Sequence, residues 1–413
     1  MKPFWALVPD RIEQATTAGS IRKLRARWQR SRLVSIMAQP VARPRRLYVD
    51  LAVISRHDAG TGIQRVVRAL ALALIDENSA DWDICFVAAD RRRSYHVVEW
   101  PNDGKLVMTE EMAARPGDIF LGLDFSLDTV RRYRHQLKRF QRAGGRLWFL
   151  IYDLLPAERP EWFSPNNVLR YKSWLDTIVG LSAGFLCISD QTDQDLRRVL
   201  AVRYGVVSGY ETAVVPMGHD IRESLLEPSV EASNGLPRFD LSSPFCLMVG
   251  TLEPRKGHAD ILAAFSELWQ QGTDDRLVLV GRLGWAVEEL RDAIRTHPEY
   301  GGKLLWFDDV DDLELERIYQ ACEGVIIASH AEGFGLPLIE ALGHHKPVLA
   351  RDLPIFRIHE GLGVRYFPAN GSPAQTGACI KHWIEQAQVG NIQVTRPNAS
   401  WKLSAQALLS AIV

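Results

Sequence analysis

The stretch SHAEGFGLPLIEALGHHKPVLA, residues 329–350, joins the apolar run GVIIA (324–328) to an apolar helical pattern through a short glycine-rich turn. Gly333 and Gly335 let backbone come close to a ligand, and Pro337 suits the first position of a helix. A strand, a glycine turn and a helix in that order make one step of a parallel αβ sheet, and such sheets bind ligands beyond the carboxyl ends of their strands. Glu332 stays in the turn while Glu340 lies about one turn into the helix, so both carboxylates are expected to face one cleft. Carboxylates accept hydrogen bonds from the vicinal hydroxyls that sugars and riboses present, which gives one glutamate for a sugar and one for a ribose. Without the glycine turn between them, the pair would read as ordinary surface charges.

Working outward, the same strand-and-helix alternation fills most of the chain. RLYVDLAV (46–53), DICFVAA (83–89), DIFLGL (118–123), RLWFLIY (146–152), GFLCIS (184–189) and TAVVP (212–216) are predicted strands of a first αβ domain. Between the first two, Ile63, Val66, Val67, Leu70, Leu74 and Ile75 recur at helical spacing. Residues 219–244 collect Pro228, Gly235, Pro237, Ser242, Ser243 and Pro244 without periodicity, so the domain boundary is expected there. FCLMVG (245–250), RLVLVG (276–281), KLLWF (303–307), GVIIA and PVLA (347–350) then supply a second parallel sheet. The expected division is a basic segment at 1–46, an αβ domain at 47–235, a second at 236–390, and a helix at 391–413 crossing back to the first.

Composition narrows the function classes. At 413 residues the chain has room for two cores, and a formal charge of −1 excludes a surface that is basic throughout, as general nucleic-acid binding requires. The imbalance is local: residues 1–46 hold eleven Lys/Arg against two acidic residues. Five dispersed cysteines without a C-x-x-C pair predict neither a disulfide framework nor a zinc knuckle, and point to a reducing cytosol. No apolar run approaches the ~20 residues of a spanning helix, and the N-terminus lacks the apolar stretch of a secretory signal.

The loop VGTLEPRKGH (249–258) also follows a predicted strand and opens a helix. Arg255 and Lys256 stand at the mouth of that helix, where unpaired backbone N–H groups favour an anion, and a diphosphate suits the place. Taken alone, the Arg-Lys pair would be a solvated basic turn; beside the 331–342 loop it gains weight.

With both loops in view, the second domain resembles the retaining GT-B glycosyltransferases of the large family-four group, marked by E-x7-E within an EGFGLP-type loop. Glu332 and Glu340 match that spacing, and GTLEPRKG is similar to the diphosphate loop of bacterial mannosyl- and rhamnosyl-transferases of polysaccharide assembly. The resemblance runs from about Leu47 to the end of the chain. It implies an α/β fold of GT-B type, with two Rossmann-like doubly wound domains facing an interdomain cleft. It further implies that Glu332 contacts the donor sugar, Glu340 the nucleotide ribose, Lys256 the diphosphate, and the backbone of Phe334, Gly335 and Leu336 the sugar or phosphate. Thr251 stands where many members carry an arginine, and Arg255 is the candidate to supply that charge. The reaction so implied moves a hexose from a nucleotide diphosphate sugar, GDP-mannose or a related deoxyhexose donor, to a hydroxyl of a growing glycan with retention. A donor phosphate oxygen would take the acceptor proton, and no cofactor or metal would be needed. A sugar-nucleotide epimerase on the same architecture and a catalytically silent glycan-binding protein remain the alternatives.

In the first domain DAGTGIQR (58–65) places Gly60 and Gly62 between a strand and a helix, able to aim backbone amides at phosphate or sugar, and it resembles the family's N-domain glycine loop. IYDLLPAERPEWF (151–163) is similar to the family's H-D-L-I-P segment, with Tyr152 at the histidine position and Asp153 as the residue expected to contact donor sugar or acceptor. Other constellations have plainer readings. In WFDDVDDLELE (306–316), Asp311 followed by Glu314 reads as a capping box rather than a metal site, and His344 and His345 as complements to a helix dipole. IRKLRARWQRSRLVSIM (21–37) mixes Ile21, Leu24, Trp28, Leu33 and Ile36 with six basic residues. That pattern fits either a helix packed on the first domain or peripheral attachment to an anionic membrane surface on the cytosolic side, where a lipid-linked glycan acceptor would lie.

Overall fold

The computed structural model describes residues 16–30, 44–58, 60–77, 81–101, 107–218, 243–397 and 399–413. The chain divides into two compact units, one comprising residues 1–218 with 399–413 and the other residues 219–398. Residues 219–242, most of the stretch expected to hold the boundary, lie outside the described residues.

The first unit is built on the strands Arg45–Asp50 (β1), Trp82–Ala88 (β2), His96–Val98 (β3), Met108–Glu111 (β4), Ile119–Gly122 (β5), Arg146–Ile151 (β6), Gly184–Cys187 (β7) and Glu211–Val214 (β8). They lie in the order β4-β3-β2-β1-β5-β6-β7-β8. All pairings are parallel except those of β3 with β2 and β4. The six apolar runs expected as strands are all present. The antiparallel pair β3–β4 escaped the sequence reading because it is short, and β4 is the exposed, polar MTEE. The first strand also ends earlier than its apolar run: Asp50 Oδ1 accepts the Ala52 amide (2.9 Å), and the chain turns through residues 52–56.

The second unit holds Cys246–Val249 (β9), Leu277–Val280 (β10), Leu304–Phe307 (β11), Gly324–Ile327 (β12), Val348–Arg351 (β13) and Val364–Phe367 (β14), all parallel. Their order is β11-β10-β9-β12-β13-β14. Side chains alternate strictly across this sheet. Cys246, Met248, Leu277 and Leu279 enter one core with Ile261, Phe265 and Leu268 of the helix His258–Gln270. Leu247, Val278 and Val280 enter the other with Leu338, Ile339 and Leu342 of the helix Leu336–Gly343. Burial on both faces explains why these strands read as continuous apolar runs. Each large side chain so buried contributes about 1.5–3 kcal/mol. β14 was not expected, because Arg365 interrupts its apolar pattern with a buried residue on either end.

Two terminal helices finish the first unit. In Thr16–Arg30 the Arg30 guanidinium donates to the carbonyls of Val179 (2.8 Å) and Gly209 (2.5 Å). Burial lowers its pKa to about 10. Arg22 lies 3.5 Å from Asp176. In Trp401–Ala411, Ser404 Oγ donates to the Pro216 carbonyl (2.5 Å) and Gln406 to Glu77 of the helix Gly62–Glu77 (3.0 Å). Ala405, Leu408 and Ile412 are fully buried. The last fifteen residues therefore act as core of the first unit. Leu408→Ala should lower the hydrogen-exchange protection of amides in the helix Gly62–Glu77 by about 2–5 kcal/mol, the cost of a buried leucine truncation. Unchanged protection there would detach the terminal helix from this core.

Candidate active site

In the second sheet the strand order reverses at β9, which has β10 on one side and β12 on the other. Loops leaving adjacent strands in opposite directions open a crevice at such a point, where open αβ sheets bind ligands. The two loops singled out from sequence follow β9 and β12, and the fold brings them together. Gly257, with φ of 71°, starts the helix His258–Gln270, and a Cβ there would come within 2.2 Å of the Ala328 carbonyl oxygen at the end of β12. The His330 amide donates to the Arg255 carbonyl (2.8 Å), tying one loop to the other through backbone.

That closure delivers three predicted residues to one cluster. Glu332 receives hydrogen bonds from Lys256 Nζ, from Ser329 Oγ (2.6 Å) and from Arg255 Nη1 (3.3 Å). Arg255 Nε also donates to Glu253 (2.9 Å). The Glu332 side chain is 10% exposed, so little water screens these charges. Burial works to raise the Glu332 carboxyl, but Lys256, Arg255 and the hydrogen bonds outweigh it and hold the pKa down at about 2. The carboxylate is thus fixed as an anion between two cations.

A further set of contacts holds the β12 loop from behind. The guanidinium of Arg351, the last residue of β13, is buried and donates to the carbonyls of Ala328 (2.8 Å) and Ala369 (2.6 Å) and to Asp260. His330 Nε2 lies 3.3 Å from the same Asp260 carboxylate. Neither Arg351 nor Asp260 was flagged from sequence, since an arginine ending a strand and an acid in a helix carry no motif. Ser329 and His258 were missed for the same reason. His258 is fully buried beside this loop, and neither ring nitrogen has a hydrogen-bond partner among the described residues. Burial, aided by Lys256, lowers its pKa to about 3.

Other predicted residues sit elsewhere. Glu340 is buried in the helix Leu336–Gly343 and accepts a hydrogen bond from Tyr319 Oη (3.0 Å). Gly335 caps that helix at φ 87°, and a Cβ there would meet the Phe356 ring at 2.7 Å. Phe334 meets His359 edge-on at 6.3 Å, and Leu336 opens the helix. Thr251 begins the β9 loop, its methyl group 3.0 Å from where a Cβ on Gly284 would lie. Asp311 and Glu314 do form the expected capping box. His344 does not complement the helix dipole as expected. Its ring stacks on Tyr319 at 5.0 Å, and burial lowers its pKa, so positive charge there is disfavoured.

In the first unit, Gly60 adopts φ 65° and its amide donates to Asp58 (3.1 Å), while Gly62 opens the helix Gly62–Glu77. Asp153 Oδ1 accepts the Leu155 amide (3.1 Å), so one of its oxygens serves the local turn. Tyr152 is buried, with its hydroxyl donating to the Leu123 carbonyl (2.8 Å). It is therefore a buried residue of the first unit. No motif marks the buried carboxylates at the reversal of the first sheet. Asp124, in the loop after β5, accepts the amides of Val53 (2.6 Å) and Ile54 (2.9 Å), while Asp50 accepts from Tyr95 (2.9 Å) and Ser126 (2.5 Å). Burial and then the neighbouring Asp124 push Asp50 up to about 7.

His258 gives the second unit an acid sensitivity of known sign. Below roughly pH 6.5 the unfolded chain protonates this imidazole while the folded chain resists down to about pH 3, so stability is lost as pH is lowered through that window. The contribution is at most ~1.4 kcal/mol per pH unit. Urea titrations at several pH values should show a shallower acid slope for His258→Asn, and identical slopes would place the ring outside this linkage.

Residues 236–388 match the family described as Glycosyl transferases group 1. The chain is 30% identical over 384 residues to the serotype-specific mannosyltransferase WbdA of Escherichia coli, covering 88% of this chain and 44% of that protein. It is also 29% identical over 177 residues to a phosphatidyl-myo-inositol mannosyltransferase of Mycolicibacterium smegmatis, covering 42% of this chain and 43% of the relative. The chain therefore spans less than half the length of these curated relatives. Among solved structures it is similar to the sucrose-phosphate synthase of Thermosynechococcus elongatus, with a TM-score of 0.57 at 16% identity, covering 89% of this chain and 95% of that one. Against WaaG, a glycosyltransferase involved in lipopolysaccharide biosynthesis, the TM-score is 0.53 at 14% identity, covering 88% and 95%. The chain accordingly has the GT-B fold, and its residues 236–388 are similar to the glycosyl transferases group 1 family.

Proposed function

We propose that this protein is a retaining hexosyltransferase that moves mannose, or a closely related deoxyhexose, from a nucleotide diphosphate sugar to a hydroxyl of a growing bacterial glycan. The observation that carries the reading is the Arg255–Lys256–Glu332 cluster at the strand-order reversal of the group 1 domain. Arg255 and Lys256, with the helix end at Gly257, would hold the donor diphosphate and stabilise the charge that develops as it leaves, a term that usually dominates such catalysis. Glu332 would accept hydrogen bonds from sugar hydroxyls, and Glu340 from the ribose. In the first unit, Gly60, Gly62 and Asp153 are the proposed contacts to donor sugar or acceptor. Mannose is favoured because most of the matched relatives are named mannosyltransferases, and a GDP-linked donor is proposed with that choice.

Titration calorimetry with GDP and UDP, followed by incubation with a panel of nucleotide sugars, tests the reading. GDP should bind and GDP-mannose should be turned over; tight UDP binding without GDP binding would overturn the donor choice. Glu332→Gln and Lys256→Ala should each lose roughly 10²–10³ in transfer rate, by analogy with one oxyanion-hole donor. Both should stay folded, since Ser329 and Arg255 or Lys256 remain to satisfy the neighbours. Near-normal rates in both variants would remove these residues from the site.

We also propose peripheral attachment to an anionic membrane surface. Among the described residues no helix is long and apolar enough to cross a membrane. The helix Thr16–Arg30 turns Ala26 and Arg30 inward, while Lys23, Leu24 and Arg27 stay exposed. The stem of Lys23 lies 3.5 Å from where a Cβ on Gly205 would stand, and Val202 and Val207 on either side of that glycine are 70% and 75% exposed. Basic heads around apolar tips fit anionic headgroups, at about 1 kcal/mol per cation near the surface. Vesicles rich in anionic lipid should sediment the full chain at low salt but not a variant carrying Lys23→Glu, Leu24→Ser and Arg27→Glu. Equal sedimentation of the two proteins would refute the attachment surface.

A further inference from the structure

The two cations proposed to grip a diphosphate are already engaged by carboxylates of the same chain. Lys256 and Arg255 both bond Glu332, and Arg255 also bonds Glu253 at 2.9 Å. These four charges cancel. Three of the side chains are 17% exposed or less and Glu253 is 24% exposed, so solvent does little to loosen the cluster. A bare diphosphate would meet no net positive charge here and would have to compete with Glu332 for both partners.

We infer that Glu332, seconded by Glu253, is a built-in counter-ion that competes with the diphosphate for Arg255 and Lys256. The inference rests on the reading of this cluster as the donor site. Among the described residues Glu332 keeps only the Ser329 hydroxyl when the cations turn to a diphosphate, so it needs new donors for its lone pairs. Hydroxyls of a donor sugar supply them; a nucleoside diphosphate without its sugar does not. The exchange of partners therefore favours the intact donor over the spent nucleotide. After transfer, the carboxylate regains its cations and assists release of the diphosphate product. Glu332 is thereby a specificity-determining residue as well as a sugar contact.

The test compares binding of inorganic pyrophosphate, GDP and UDP to the wild-type full chain and to Glu332→Gln, Glu332→Asp and Glu253→Gln, with thermal unfolding as a check on the fold. Glu332→Gln should bind pyrophosphate and the preferred nucleoside diphosphate roughly tenfold tighter, because a competing charge is gone while its shape remains. Glu332→Asp, which keeps the charge, should stay near wild type, and Glu253→Gln should tighten binding by a smaller factor. Weaker or unchanged binding by a folded Glu332→Gln, where the wild type binds, overturns the inference and leaves the donor-site reading standing. Should Glu332→Gln not fold, Glu253→Gln decides: tighter binding supports the inference, unchanged binding overturns it. If no protein binds any of the three anions, the donor-site reading fails and the inference falls with it.

Discussion

The candidate site depends on one close approach, that of the β9 loop to the end of β12. Gly257 permits it, because any side chain would collide with the Ala328 carbonyl, and the His330–Arg255 backbone bond closes it. Residues 77 and 76 positions apart in sequence, Arg255 and Lys256 against Glu332, are thereby set within ion-pair distance. A parallel sheet whose strand order reverses at β9 brings both loops to the carboxyl ends of neighbouring strands. The pairing of β9 with β12 and the alternation of side chains into two cores hold that sheet rigid enough to place them.

Behind the loops, Arg351 explains how a glycine-rich turn keeps a defined shape. Its guanidinium binds carbonyls at the end of β12 and after β14 and also meets Asp260, which His330 approaches from the loop side. The hydrogen bond to His330 and those to Arg351 hold the Asp260 carboxyl below its usual range, so it stays anionic and keeps both partners. A buried planar guanidinium serving three acceptors in fixed directions suits this task better than a lysine would. The first unit solves the equivalent problem differently. There Asp124 captures two successive amides of the loop after β1, and a buried carboxylate rather than a cation sets the turn that leads to Gly60.

Much of this was legible in the sequence, and the reason differs by level. Buried parallel strands cannot hide, because both faces demand apolar residues; RLVLVG and GVIIA announce themselves. The short strand β3 and the exposed edge strand β4 carry no such demand, and β14 breaks its pattern with Arg365, so these three were invisible. At the site, Arg255, Lys256 and Glu332 were readable because glycines flank them at loop positions. Ser329, Asp260, Arg351 and His258 were not, for their importance arises from contacts between segments distant in sequence. Tyr152 illustrates the limit of analogy by position: it occupies a family site position, yet its hydroxyl is spent on Leu123 inside the core.

The separation of Glu332 from Glu340 shows how two residues of one motif come to do different work. Eight positions apart, they straddle the αL turn at Gly335, which redirects the chain into the helix Leu336–Gly343. Glu332 remains in the loop and faces the cations; Glu340 turns into the helix and is held by Tyr319, whose ring in turn stacks on His344. The first carboxylate is paired with two charged side chains of another loop, whereas the second is held by a phenol buried in a second core. The first is thus balanced by charge, and the second by a hydrogen bond from a neutral phenol. The turn at Gly335 thus divides one short motif into an electrostatic part and a positioning part.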